Sequence, residues 1–422
     1  MKGIDIIAQT PGTAMIETTP SLSELSLSVK PKIERSVNDN INFDVIVLGV
    51  GSMGSATCYQ LARQGYKVLG LEQFDIPHEL GSHAGQSRLI RKAYAEHPDY
   101  VPLLERAYQN WKTLEADTGV QVYFKTGLLY FGTDSNEFLK GVLTSSEKYS
   151  IQVNSLSKAQ ISKKYPQFNM PGGYRCLEEP DAGFVTPERS ILLFTQQALQ
   201  HEAVIRTNEK VVEWKRENGV IRVKTGKGVY TAKKLVITAG PWAGKMVRGL
   251  ASKLQVTRQV LAWMKPEKWD SFVWGNFPCW LIGDGDYLYY GFPILPAEKL
   301  GGPPGLKLAI HAPMGDTTDP GTIDRNPNNN DEKILTTALK KFFHGGYSET
   351  LHMKTCMYTN TPDGNFILDY LEGYDKDVVI AAGFSGHGFK FASVIGEVMA
   401  DLAVKGDTAL PIGFLNAGRF GG

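Results

Sequence analysis

Hydrophobic positions first fall into a strict pattern at Phe43. Asp44-Val45-Ile46-Val47-Leu48-Gly49 is a short, almost wholly apolar run, the signature of a parallel strand buried on both faces. Met53 to Gln64 then has helical spacing, and Tyr66-Lys67-Val68-Leu69-Gly70-Leu71-Glu72 reads as a second strand, so the three form a βαβ unit that opens a doubly wound sheet. Tyr100 to Leu114 predicts an amphipathic helix with Asp99 as N-cap, while Val122 to Phe131 and Gly219 to Tyr230 read as antiparallel strands. Two further apolar runs, Lys234 to Gly240 and Asp377 to Gly383, return to the first sheet. The second passes through Phe384-Ser385-Gly386-His387-Gly388 into a helix that ends near Val404. Residues 258 to 312 carry Trp263, Trp274, Trp280 and Tyr287-Leu288-Tyr289-Tyr290, which suits a sheet lining an aromatic pocket. The Pro/Gly/Asn-rich stretches 293–305 and 313–330 read as loops.

The chain therefore leaves a nucleotide-type domain and re-enters it. The expected fold is α/β in the two-domain, α+β sense: a discontinuous Rossmann-like domain over 43–120, 190–257 and 350–422, with an antiparallel-sheet substrate domain over 121–189 and 258–349. Residues 1–42 are rich in Thr, Ser, Pro and Asn and read as a flexible leader; a cryptic targeting peptide is the alternative, but Asp5, Glu17, Glu24 and Glu34 make the segment more acidic than such peptides usually are. With 422 residues, 42% of them hydrophobic, there is enough material for two cores. The 45 basic and 44 acidic residues nearly cancel, so no broad field favours nucleic acid or an anionic membrane, and a small-molecule partner is expected. Cys58, Cys176, Cys279 and Cys356 show neither zinc spacing nor a disulfide framework, so no metal is expected. No apolar run approaches the ~20 residues that span a bilayer. A soluble, cytoplasmic protein with reduced thiols is the expectation.

Gly49-Val50-Gly51-Ser52-Met53-Gly54 is a GxGxxG placed directly after a strand and opening a helix, where glycines let backbone approach a pyrophosphate at the helix N-terminus. Glu72, at the end of the second strand, is a carboxylate suited to the ribose hydroxyls, and it argues against a 2′-phosphate. The fingerprint therefore indicates FAD or NAD rather than NADP. The loop Gly383 to Gly388 separates these two. A helix starting near Gly388, with Lys390 in its first turn, aims positive charge at whatever precedes it, which suits the pyrimidine edge of a flavin. Cys356 alone, a single thiol in an apolar strand, reads as an ordinary core residue.

In combination, Gly49 to Gly54, Gly81-Ser82-His83 with Ser87-Arg88-Leu89-Ile90-Arg91, Gly305-Leu306-Lys307-Leu308, Cys356-Met357-Tyr358-Thr359 and Gly383 to Phe391 resemble the monomeric sarcosine oxidase / N-methyltryptophan oxidase family, FAD-dependent amine oxidases of the D-amino-acid-oxidase-like superfamily. The similarity runs in order from Phe43 to about Gly406. It implies FAD held by Gly49, Gly51, Ser52, Met53, Gly54, Glu72, Ser82, His83, Arg88, Val211, Gly383, Gly386, His387, Gly388 and Lys390, with a thioether from Cys356 to the flavin. It implies that Arg91 and Lys390 hold a substrate carboxylate, that Lys307 activates oxygen, and that Arg88 supports the anionic flavin. Tyr94, Tyr290, Tyr358, His311 and Leu281 would wall the substrate cavity.

The implied activity is oxidation of sarcosine or another N-methyl amino acid, with oxygen reduced to hydrogen peroxide, by a monomeric enzyme. Three departures from the family pattern stand out. Ala84 replaces the second of a histidine pair, Leu281 stands where methionine is expected, and the loop Leu295 to Pro304 is longer and positioned to reshape the substrate entrance. Alternatives are an oxidase of pipecolate, another cyclic imino acid or a glycated amino acid, a dehydrogenase with a non-oxygen acceptor, and a non-catalytic FAD-binding protein.

Overall fold

The computed structural model describes Pro20, Ser21, Glu24, Leu25, residues 42–311 and residues 315–421. The leader expected over 1–42 lies outside the described residues except at those four positions and Asn42. Of the loop expected over 313–330, residues 313 and 314 also lie outside them.

The apolar run after Phe43 becomes the strand Asn42–Leu48, parallel both to Val68–Leu71 and to Val229–Ile237. Val204–Arg206 extends the parallel set on one side, and Val378–Ala382 pairs in parallel with the end of Val229–Ile237 on the other. Every residue of Val68–Leu71 and Val378–Ala382 is buried, which is why these runs carry no polar alternation. The helix Ser52–Ala62 and the C-terminal helix Ala392–Lys405 pack against each other, with Gly396 in close contact with Ala56. Beyond Ala232 the strand Val229–Ile237 changes neighbour. Its beginning pairs with the hairpin strand Val220–Thr225, its end with Val378–Ala382. Gly219 to Tyr230 is accordingly not one strand but a strand, a turn closed by Thr225 and Gly228, and the start of the next.

The second sheet has eight strands in the order Glu349–Asn360, Gln255–Lys265, Leu306–Ile310, Tyr287–Phe292, Cys279–Asp284, Leu128–Thr133, Tyr174–Glu179, Asn154–Leu156. Its pairings are antiparallel except where Cys279–Asp284 runs parallel to Leu128–Thr133. Glu349–Asn360, beyond the expected boundary at 350, pairs along its length with Gln255–Lys265 and belongs to this sheet.

Local details also differ from expectation. The helix runs Val101–Thr118, behind a single 3-10 turn Pro98–Tyr100; Asp99 does not cap it, and it is the preceding turn that is capped, by His97, whose Nδ1 accepts the Asp99 N–H. The expected loop 293–305 contains one helical turn, Ala297–Leu300. Trp274 and Trp280 face the sheet's packed cores, against Phe124 and Phe343, rather than an aromatic pocket. No helix among the described residues is long and apolar enough to cross a membrane. All four cysteines are buried free thiols.

Candidate active site

The first and last glycine loops meet at the carboxyl ends of the parallel strands, where a long cleft opens between the two sheets, about 2000 Å³ with its open mouth included. At one end the close packing of the first loop depends on Gly54: a Cβ there would lie 1.8 Å from the Gly49 carbonyl oxygen. Gly51 is the N-cap of Ser52–Ala62 and makes no side-chain cap, so the first-turn N–H groups are left for an anion in the cleft. The Val50 and Phe74 N–H groups donate to the two oxygens of Glu72, at 2.9 and 3.1 Å. Burial pushes the Glu72 carboxyl up to about 6, against the pull of those N–H groups. Nearby, the buried His83 lines the cleft with Nε2 unpartnered, and burial lowers its imidazole to about 4. The uncapped helix, a carboxylate with its remaining lone pairs facing the cleft and an orphaned imidazole nitrogen are a donor and acceptor set that fits the dinucleotide part of FAD.

Of the residues expected to hold the cofactor, Gly49, Gly51, Ser52, Met53, Glu72, Ser82, His83, Arg88, Val211, Gly383, Gly386, His387, Gly388 and Lys390 line this one cleft. Gly386 has φ +79°, and a Cβ there would lie 2.3 Å from the Tyr358 ring, so the second loop is pressed against the substrate sheet. Tyr290, Tyr358, Leu281 and His311 also line the cleft. Gly54, Tyr94, Lys307 and Cys356 stand behind its wall. The Cys356 sulfur lies 3.4 Å from the Ser82 carbonyl and 3.8 Å from Arg88 Nη2, beside the cleft-lining Met357. Arg88 is fixed by the carbonyls of Ala84 (2.6 Å) and Ser87 (2.9 Å), so the site of the missing histidine contributes through its backbone.

Two buried cations converge farther along the cleft. The Arg91 guanidinium lies 4.4 Å from the centre of the Tyr94 ring and the Lys390 ammonium 5.2 Å from the same centre, so both like charges draw on one π system. Arg91 Nη2 also donates to both oxygens of Glu96, at 2.7 and 2.9 Å. Burial works against the Glu96 carboxylate, but Arg91, His387 and Lys390 together hold its pKa well below the usual carboxylate range. Lys390 Nζ donates to the His387 carbonyl at 2.7 Å, and burial followed by Arg91 lowers its ammonium to about 7. His387 is held at both ring nitrogens: Gly364 O lies 3.0 Å from Nε2 and the Tyr94 hydroxyl 2.5 Å from Nδ1. Since a carbonyl only accepts, Nε2 carries the proton and Nδ1 accepts from Tyr94. With burial lowering it to about 3, His387 is a neutral brace for Tyr94.

A further cation, Lys307, is 1% exposed. Its ammonium donates to the carbonyls of Gly85 and Ser87 and to Ser87 Oγ, and it lies 4.4 Å from the Phe292 ring centre. Burial, then Arg88, lower its pKa well below the ordinary lysine value. None of the residues 295–304 lines the cleft. That loop packs on the Lys307 side, where Gln86 donates to the Gly301 carbonyl and Arg189 to that of Lys299.

Sequence reasoning missed Glu96 and Glu188. Glu96 follows Arg91 by five residues in a segment with no helical or strand period to pair them, so spacing carried no signal. Glu188 was legible only as an acidic residue in the first turn of the helix Pro187–Gln200; its bonds to the Gly85 and Gln86 N–H groups span about a hundred positions of chain.

A glycine-rich strand-to-helix turn, a ribose-type carboxylate and a second glycine loop around one cleft define an FAD-dependent oxidoreductase. The family model described as FAD dependent oxidoreductase matches residues 44–402, and the chain belongs to that family. It is 37% identical over 387 residues to the monomeric sarcosine oxidase of Bacillus sp. (strain B-0618), across 90% of this chain and 96% of the relative. It is 34% identical over 383 residues to the N-methyl-L-tryptophan oxidase of Citrobacter koseri, across 90% of this chain and 100% of the relative. The open form of NikD, an unusual amino acid oxidase essential for nikkomycin biosynthesis, shares the fold with a TM-score of 0.75 at 23% identity, over 89% of this chain and 97% of NikD.

Proposed function

We propose that the protein oxidises a secondary amino acid, sarcosine or another N-methyl amino acid, at the carbon next to nitrogen, with oxygen as the final acceptor. The observation that carries this reading is the pair of buried cations, Arg91 and Lys390, both lining a flavin-type cleft and lying 4.4 and 5.2 Å from the Tyr94 ring centre. The likeness to a monomeric sarcosine oxidase and to an N-methyl-L-tryptophan oxidase supports it.

FAD supplies a two-electron acceptor, taking a hydride equivalent from the substrate and returning two electrons to oxygen to yield hydrogen peroxide. Gly49, Gly51, Ser52, Met53, Glu72 and Val211 would hold its adenosine diphosphate half, and the loop Gly383 to Gly388 with Lys390 its pyrimidine edge. Cys356, whose sulfur touches the Ser82 carbonyl and Arg88, would be the thiol that forms a thioether. A substrate carboxylate is bound by Arg91 as a bidentate fork and by Lys390 as a point charge, and it takes the place on Arg91 that Glu96 holds. That fixes the amine along the cleft toward Tyr290, Tyr358 and His311. Only the neutral amine has a lone pair to assist C–H cleavage, and burial, which lowers His311 to about 4, keeps this wall uncharged around it. Lys307, behind Arg88, provides the positive charge that stabilises reduced oxygen.

A second reading, a bulkier substrate such as a glycated amino acid, is favoured by an adjoining chamber of about 2020 Å³ with its open mouth, which shares Glu96, His311 and His387 with the cleft. Anaerobic mixing of the flavoprotein with a panel of N-methyl, cyclic and glycated amino acids decides between them. Bleaching by N-methyl amino acids followed by peroxide on aeration is the expected result. Bleaching by glycated substrates alone selects the second reading, and no bleaching by any amine removes both.

A further inference from the structure

The oxygen-side lysine is held by a turn that is itself held by a carboxylate. Among the described residues Lys307 donates only to the turn Gly85 to Ser87, and no carboxylate oxygen of them touches its ammonium. On the other face of the same turn, Glu188 Oε1 accepts the Gly85 N–H at 2.6 Å and the Gln86 N–H at 3.2 Å. Gly85 thus gives its N–H to Glu188 and its carbonyl to Lys307. The Gln86 side chain locks the turn from the third side, accepting from Trp263 Nε1 at 3.1 Å and donating to Gly301. Trp263 in turn is the register partner of Lys307 in the sheet.

We infer that Glu188 is a positioning residue for oxygen reduction: its negative charge, conducted across the Gly85–Gln86 peptides, keeps Lys307 protonated, and its hydrogen bonds aim the carbonyls that orient the ammonium. This rests on the proposed oxygen role of Lys307. The charged and titratable groups facing Lys307 are Arg88, Glu188, Cys356 and Cys279. Arg88 opposes the ammonium, burial lifts the Cys279 thiol to about 12 and keeps it neutral, and the proposed thioether would take the Cys356 sulfur out of titration. Glu188 is therefore the one anion on the described face. Two like charges, Lys307 and Arg88, buried within one turn of each other need such a partner.

Glu188→Gln separates charge from geometry, because the amide oxygen still accepts both N–H groups while the charge is gone. The first readout is the 13Cε signal of Lys307 in lysine-labelled holoenzyme, assigned by its absence in Lys307→Met. Its titration midpoint is expected to fall by about one pH unit or more in Glu188→Gln and to return toward wild type in Glu188→Asp. The second is stopped-flow reoxidation of the reduced enzyme. Its rate should fall roughly tenfold in Glu188→Gln, with the high-pH limb displaced downward, while anaerobic reduction by substrate stays within about twofold. A Glu188→Gln enzyme with wild-type Lys307 titration and reoxidation, beside an impaired Glu188→Ala, overturns the inference and leaves Glu188 a turn staple. If Glu188→Gln shifts the lysine titration but Lys307→Met reoxidises normally, the charge coupling stands and the oxygen role of Lys307 fails.

Discussion

The end of the cleft proposed to take the substrate and the side proposed to reduce oxygen each bury a cation, and they hold it in opposite ways. Arg91 is held by a side-chain carboxylate, Glu96, which lines the cleft and which the proposed substrate carboxylate would displace. Lys307 is held by two backbone carbonyls and a hydroxyl, with its nearest anion one turn away. Backbone carbonyls cannot leave, so no anionic ligand can compete for that ammonium on equal terms. The difference teaches that exchangeable pairing suits a group that must bind and release a carboxylate, whereas a fixed dipole cage suits a group that must hold one charge through every turnover.

The largest test of this contrast is Lys307→Met, which removes charge without volume. Reoxidation by oxygen is expected to slow ~10²–10³-fold with reduction by substrate little changed; equal slowing of both half-reactions would place Lys307 in the substrate site. Next comes Arg91→Ala, which should raise KM for carboxylate substrates about 10²-fold, since it strips the fork from the ligand and strands Glu96 beside Lys390. Adding Glu96→Gln to Arg91→Ala should recover part of that loss, and no recovery means the two do not share one ligand position.

A smaller effect follows pH. Lys390 is lowered to about 7 by burial and Arg91, so its ammonium is present below that pH and lost above it. KM for a carboxylate substrate should rise through pH 7 while kcat rises with amine deprotonation, and Lys390→Met should abolish the first limb only. Smallest is Trp263→Phe, which deletes one hydrogen bond to Gln86. It should cost about 1 kcal/mol of stability and leave KM unchanged; an altered KM would mean the two sides are coupled. Separately, acid-precipitated holoenzyme should retain yellow colour in wild type and lose it in Cys356→Ser, which checks the tether.

Much of the nucleotide side was readable because its signals are local. The run Val45 to Leu48, the turn Gly49 to Gly54 and Glu72 lie within one βαβ unit, where strand periodicity and glycine placement report directly on backbone geometry. The substrate side was readable only through its likeness to a family, and even then incompletely. Trp274 and Trp280 carry the composition of an aromatic pocket yet face cores. The loop 295–304 looks in sequence like a lip on the substrate entrance yet fastens to Gln86 and Arg189. Strand alternation says that two faces differ, not which face meets the cleft.

By itself, then, the order of residues determined the βαβ opening, the return strands and the chemical types available: a ribose carboxylate, four cations, one thiol beside a tyrosine. The pairings Arg91 with Glu96, Lys307 with the Gly85 and Ser87 carbonyls, and Glu188 with the far face of that turn were decided only in three dimensions. Charge and hydrogen bonding act through distances of a few ångströms, and those distances are set by how two sheets and a helix from positions a hundred or more residues apart close on one another.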